Sequence, residues 1–310
     1  MLNLPGEVRI CEVGLRDGLQ NEKQIVSTAD KLMLLEGLVE AGFPVIEVGS
    51  FMHPKKVPQM ADTDELFKAI AGKYPNVEMR GLIPNLRGVQ RAVDCGCKKV
   101  KLNVSASREH NLKNLNMTPE ESVAGFKDCV TAAHDNGIEI SGSISMPFGS
   151  PWDGRIPQDQ IDNIVEAYLN VGISEISLSD TSGMGVPAQV YEICSHVREK
   201  YPEATWWLHF HNTRGNAIAN IYAAMETGMT QFDSSFAGLG GCPFVPNAAG
   251  NISTEDVINM CEESGVKTGI DVRKVMELSR KLLGILNKEG DSYILKAGLA
   301  ADLIEKMSAK

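Results

Sequence analysis

Two histidines one residue apart, His209 and His211, end the apolar run "TWWLHFH" and lie within the stretch "LHFHNTRGN". Side chains alternate along a strand, so a strand here sends both imidazoles to one side and Phe210 to the other. Two converging imidazoles can hold a divalent metal or simply be satisfied by neighbouring carbonyls, and the spacing alone leaves both readings open. Near the other end of the chain, Arg16 and Asp17 follow another apolar run. An aspartate at a second strand end would add the anionic oxygen that divalent ions favour. Two nitrogens, a carboxylate and an amide oxygen make a mixed N/O set without thiolate. Such a set suits an open Mg²⁺ or Mn²⁺ site with room for substrate, rather than a closed structural zinc site.

A second chemical signal is "AGLGGCPFVPNAAGN" (237–251). Gly238, Gly240, Gly241 and Gly250 permit backbone conformations closed to other residues, and such a run predicts a lid over the active face. Cys242, in its middle, is placed to exchange protons with substrate. Of the other six cysteines, Cys11, Cys129, Cys194 and Cys261 read as inert buried side chains. Cys95 and Cys97 lack partners for a zinc site and read as structural. An odd, irregularly spaced set fits reduced thiols better than a disulfide framework.

Eight β-rich runs alternate with amphipathic helical stretches, at 8–14, 45–50, 77–84, 99–105, 138–145, 175–181, 205–211 and 231–238. Regular alternation implies a parallel sheet, and eight units in about 250 residues predict an α/β fold of the closed (β/α)₈ kind. The expected organisation is a single catalytic domain over 1–310, a TIM barrel at about 5–263 with extra C-terminal helices at about 264–310. An open doubly wound sheet would want a G-x-G-x-x-G loop after the first strand, and "GLRDGLQN" is not one. In a barrel the chemistry gathers at the C-terminal strand ends. Those ends carry Arg16, Asp17, Glu47, Ser50, Asn103, Asp180, His209 and His211, with Cys242 and Asn251 in the last loop. The polar segment "SASREHNLKNLNM" (105–117) is read as a long loop on the same face.

Composition narrows the class. With 310 residues, 43% of them hydrophobic, the chain can bury a sizeable core. A net charge of −10 argues against nucleic acid or an anionic membrane surface as the main partner. No apolar run reaches the roughly 18 residues of a membrane span. The start "MLNLPGEVRI" has neither signal-sequence nor transit-peptide character, so a cytoplasmic location is expected.

The stretches "EVGLRDGLQNEK" (12–23), "VIEVGSFMHPKKVPQM" (45–60), "HFHNTRGNAIAN" (209–220) and "AGLGGCPFVPNAAGNISTED" (237–256) resemble 3-hydroxy-3-methylglutaryl-CoA lyases, in order and over nearly the whole chain. The Arg-Asp and His-x-His parts are shared with a wider group of barrel enzymes, whereas "RDGLQNEK" with "GLGGCP" is more specific to the lyases. The resemblance implies retro-Claisen cleavage of an acyl-CoA thioester, dependent on Mg²⁺ or Mn²⁺. It implies Asp17, His209, His211 and Asn251 as metal ligands and Arg16 facing the substrate carbonyl. It further implies Cys242 as an acid/base on the loop, Glu47 as a catalytic carboxylate and a proton-transfer role for His209. Glu47 and Asp180 are candidate bases for the hydroxyl, or else they orient the histidines. Substrate contacts are expected from Arg16, Gln20, Lys23, Ser50 and Arg108, with His110, Lys113, Lys55 and Lys56 further candidates for the CoA phosphates. Relatives suggest a homodimer.

Departures bear on the substrate. The lyases commonly carry His-Cys-His-Asp-Thr-Tyr-Gly, where this chain has Phe210, Asn212 and Arg214, and their strand-five cysteines are here Met146 and Ser150. The acyl pocket can therefore differ, and a related thioester such as citramalyl-CoA stays open. A barrel that binds metal without catalysis is the competing class. Retention of Arg16, Asp17, both histidines, Cys242 and Asn251 speaks against it.

Overall fold

The computed structural model describes residues 3–241 and 249–309. Eight parallel strands close into a barrel in chain order: β1 (Arg9–Glu12), β2 (Val45–Ser50), β3 (Glu78–Ile83), β4 (Lys99–Ser105), β5 (Glu139–Ser145), β6 (Glu175–Asp180), β7 (Thr205–Phe210) and β8 (Gln231–Ser234). Ile10 of β1 registers with Phe232 of β8, which completes the ring. This is the expected (β/α)₈ TIM barrel, with helices between successive strands and further helices Val272–Leu286, Tyr293–Ala297 and Ala300–Ser308 at the C-terminal end.

The core has two parts, and β4 shows why. In "KVKLNVS", Val100, Leu102 and Val104 join the large apolar layer between barrel and helices. The alternate residues Lys99, Lys101, Asn103 and Ser105 are also buried. The barrel interior is thus largely polar, apart from a small plug of Cys11, Val13, Val45 and Trp207. Below that plug, Arg80 lies over the Trp207 ring at 4.4 Å, and Lys99 bonds to Glu78 and Glu175 at 3.2 and 2.6 Å. These pairs fill the barrel at the N-terminal end.

Four expectations about elements are corrected. The first strand stops at Glu12 rather than residue 14, because the chain turns at Val13 into a π-helical turn, Gly14–Gly18. The seventh strand stops at Phe210, and His211 instead makes an isolated bridge to Asn251. The eighth stops at Ser234, before a tight turn at Phe236–Gly238 in which Ala237 takes φ 62. The expected loop after β4 holds a helix, Arg108–Leu115, capped by the Ser107 side chain on His110 N–H and ended by Asn116 at φ 59. Its polar composition hides it from a hydrophobic-period search, although Ser107 is a helix-start residue. Among the described residues no helix is long and apolar enough to cross a membrane.

Candidate metal centre and active site

The π-helical turn after β1 brings Arg16 and Asp17 over the barrel mouth, and β7 brings the histidines up to meet them. The His209 and His211 rings lie 5.2 Å apart on one side of the strand, as the alternation requires. Their Nε2 atoms stand 3.8 and 3.5 Å from Asp17 Oδ2. One donor atom from each of these three residues lies within 4.8 Å of the others, a spacing that a single divalent ion can bridge. His211 Nδ1 is buried without a hydrogen-bond partner among the described residues. Burial alone would raise the Asp17 carboxyl, but the Arg16 guanidinium and both histidines hold it well below the usual carboxylate range. It is therefore charged at neutral pH, and the donor set fits a hard or borderline divalent ion.

Asn251 belongs to the same cluster. Its Nδ2 donates to Asp17 Oδ2 at 2.7 Å and to the Leu239 carbonyl at 3.1 Å. A half-turn about its last torsion would present Oδ1 to the triad instead. Gly240 lies against this amide at φ 125, and a Cβ there would run into Asn251 Nδ2. Glycine is required at that position both by conformation and by space.

Arg16 is gripped on two edges: Nε donates to Glu47 Oε1 and Nη1 to Asp17 Oδ1. Nη2 keeps no partner among the described residues, and the side chain lines the cavity. Glu47 is fully buried and does not line the cavity, so its contact with a substrate runs through Arg16. Asp180 is likewise withdrawn. Its carboxylate accepts from Met184 N–H and Gly185 N–H, each at 3.0 Å, and ties down the loop after β6. Burial raises its carboxyl above the usual range, against those bonds. Neither the Glu47 nor the Asp180 side chain lines the cavity.

Asp180 meets the histidine pair through its backbone carbonyl, which accepts from His211 N–H at 3.3 Å, and Asp233 on β8 holds His209, its Oδ2 lying 3.3 Å from His209 Nδ1 and 3.1 Å from Lys101 Nζ. Sequence reasoning missed Asp233 and Lys101, because it looked for chemistry at strand ends and both lie one layer deeper. The available signal was a charged residue at an inward position of a buried strand. Asp233 also limits His209: with Nδ1 engaged, Nε2 can serve an ion or a proton, not both.

Arg16, Asp17, His209 and His211 line the cavity at the barrel mouth. Asn103, Ser143, Ser145 and Ser179 give it a hydroxyl- and amide-rich wall. Gln20 and His110 also line it, and Gln20 Oε1 is buried without a partner among the described residues. The other expected substrate contacts lie elsewhere. Ser50 is buried and accepts from Met52 N–H at 3.3 Å, Arg108 is exposed and paired with Glu120 at 3.1 Å, and Lys23 is exposed. Cys242 falls outside the described residues. The six other thiols are buried, as expected.

A closed parallel barrel whose mouth gathers two imidazoles, a carboxylate and a clamped guanidinium defines a TIM-barrel protein with a metal-type active site. The family model described as HMGL-like matches residues 7–282. The chain is 41% identical to human mitochondrial hydroxymethylglutaryl-CoA lyase, over 96% of this chain and 91% of that protein. It is 39% identical to the 3-hydroxy-3-isohexenylglutaryl-CoA/hydroxy-methylglutaryl-CoA lyase of Pseudomonas aeruginosa, over 96% of this chain and 99% of that one. An HMG-CoA lyase from Acinetobacter baumannii, solved in complex with coenzyme A and 3-methylmalate, matches with a TM-score of 0.92 at 43% identity, covering 96% and 97% of the two chains. The chain belongs to the HMGL-like family.

Proposed function

We propose that the protein is a carbon–carbon lyase that splits 3-hydroxy-3-methylglutaryl-CoA into acetyl-CoA and acetoacetate. The observation that carries this reading is the Asp17–His209–His211 triad beside the clamped Arg16 in one cavity, in a chain of the HMGL-like family. Asp17, His209 and His211 would hold Mg²⁺ or Mn²⁺, with Asn251 Oδ1 as fourth ligand after the half-turn described. Bound there, the ion would supply Lewis acidity that eases loss of the tertiary 3-hydroxyl proton, which leaves to solvent through the open mouth of the cavity.

The chain's own groups do the rest. Breaking the C2–C3 bond leaves its electron pair on the thioester as an enolate, which is costly in a dry cavity. Arg16, held on two edges, offers Nη2 to that oxygen in a fixed direction, an interaction worth about 3–4 kcal/mol in such sites. A proton must then return to the enolate carbon, and we assign this to Cys242 on the glycine loop. We assign the acyl group to Gln20 and the Asn103–Ser145 wall, and the CoA phosphates to Lys23 and Arg108 beyond the cavity. We read the chain as one catalytic domain, the barrel at about 5–263 and its helical extension to 310, acting as a cytoplasmic homodimer.

Citramalyl-CoA is the second reading, resting on the departures at Phe210, Asn212, Arg214, Met146 and Ser150. The test is incubation with a panel of 3-hydroxyacyl-CoA thioesters and Mg²⁺ or Mn²⁺, with products read by mass. Acetyl-CoA and acetoacetate from the methylglutaryl thioester, lost on chelation, are expected. Turnover of citramalyl-CoA alone would move the assignment to that thioester, and no cleavage of any thioester would overturn it.

A further inference from the structure

Six side chains form a closed circuit at the floor of the cavity. Arg16 joins Asp17 to Glu47, and Lys101 joins Glu47 to Asp233 at 2.8 and 3.1 Å. Asp233 holds His209 Nδ1 at 3.3 Å, and His209 Nε2 returns to Asp17 at 3.8 Å. Strands β2, β4, β7 and β8 each supply one member, and the turn after β1 supplies two. Lys101 is the one member that touches neither a candidate ligand of the ion nor Arg16.

We propose that Lys101 is a positioning residue that keeps the metal-binding histidine and the Arg16 clamp in register, a role that rests on the metal-dependent lyase reading. A buried ammonium is costly unless paired, and bulky branched side chains ordinarily fill a barrel interior. Lys101 is 2% exposed, and its two ion pairs are its contacts to charge at this level. Two of its three N–H groups suffice to fix Glu47 and Asp233 about a single nitrogen. Without that nitrogen, two buried carboxylates of like charge would be left close together, and they would move apart. Movement of Glu47 frees Arg16 Nε, and movement of Asp233 frees His209 Nδ1. One substitution therefore disturbs both arms of the site without removing an atom from either.

The experiment compares Mn²⁺ binding to the metal-free full-length protein, by electron paramagnetic resonance, with steady-state kinetics on 3-hydroxy-3-methylglutaryl-CoA. Lys101→Met is expected to raise the Mn²⁺ Kd by about 10-fold or more, the scale seen when partners of metal-bound histidines are removed. It should also lower kcat more than it changes KM. Lys101→Arg, which keeps the charge and can fork to both carboxylates, should recover much of both losses. If Lys101→Met does not fold, Lys101→Gln against Lys101→Arg carries the same comparison. A folded Lys101→Met with wild-type Mn²⁺ affinity and kcat, and only a lower Tm, overturns the proposal by reducing Lys101 to a filler of the floor. Wild-type protein that binds no Mn²⁺ overturns the metal reading together with this one. Protein that binds Mn²⁺ yet cleaves no thioester defeats the lyase reading alone, and the Kd comparison still decides on Lys101.

Discussion

His209 stands between two carboxylates, with Nδ1 3.3 Å from Asp233 Oδ2 and Nε2 3.8 Å from Asp17 Oδ2. A hydrogen bond to Asp233 fixes the proton on Nδ1 and leaves the Nε2 lone pair for an ion. Asp233→Asn keeps the size but weakens that grip. Metal affinity should fall about 10- to 100-fold, with the fold retained. Calorimetric titration of the metal-free protein with Mn²⁺ measures this, and an unchanged Kd would place the orienting force elsewhere.

Arg16 offers a second test, because its two gripped edges define what a lysine cannot replace. Arg16→Lys keeps the charge and loses the fork that reaches Glu47 and Asp17 together. The enolate exists only along the reaction path, so kcat should drop by about 10²-fold while KM moves little. An equal loss in affinity for a non-reactive substrate analogue would assign Arg16 to ground-state binding.

How legible these groups were depended on where each sits. His209 and His211 were readable because a period of two puts them on one side, wherever the strand ends. Asp17 was readable from type and neighbour, although it rides a π-helical turn rather than a strand. Lys101 and Asp233 were not, for a physical reason. The alternation in "KVKLNVS" looks the same whether its polar face meets water or the inside of a closed barrel, and only closure decides. Glu47 and Asp180 show the converse. Position near a strand end says nothing of direction, and one carboxylate is spent on Arg16 and Lys101, the other on backbone N–H groups.

Stability should depend on pH through Glu12. Its buried carboxyl accepts from Gly14 N–H at 2.7 Å, Phe236 N–H at 3.0 Å and Thr254 Oγ1 at 2.6 Å, tying the Arg16–Asp17 turn to the base of the glycine loop. Burial pushes it up from the ordinary 4.5 to about 8, against those bonds. A carboxyl raised on folding stabilises fully below its unfolded value, and this contribution is lost as pH climbs to the folded one. Between about pH 4.5 and 8 the wild-type Tm should therefore fall, and Glu12→Gln should flatten the decline by several degrees. Glu255, which burial pushes up to about 7, adds to the same decline, and His110, which burial pushes down to about 4, opposes it at the acid end, so the test is the difference between wild type and Glu12→Gln. Parallel melting curves for the two proteins across the window would count against Glu12.

The last prediction concerns Cys242. If its thiol protonates the enolate, Cys242→Ser should cost kcat heavily, since a hydroxyl of far higher pKa replaces a group that titrates near 8.5 in water. The surroundings of the other cysteines sharpen the test. All six are buried, and burial pushes Cys97 up to about 12, Cys129 to about 11 and Cys261 to about 12, so little of each is thiolate at neutral pH. A thiol alkylator should therefore inactivate the protein through one position, visible as a single modified peptide. Saturating substrate should slow that reaction by drawing the glycine loop over the site. If Cys242 only packs the loop, the serine variant will turn over near normally and alkylation will proceed at the same rate with or without substrate. That pattern would remove Cys242 from the reaction and leave the Asp17–His209–His211 assignment standing, because none of its donor atoms depends on the loop thiol.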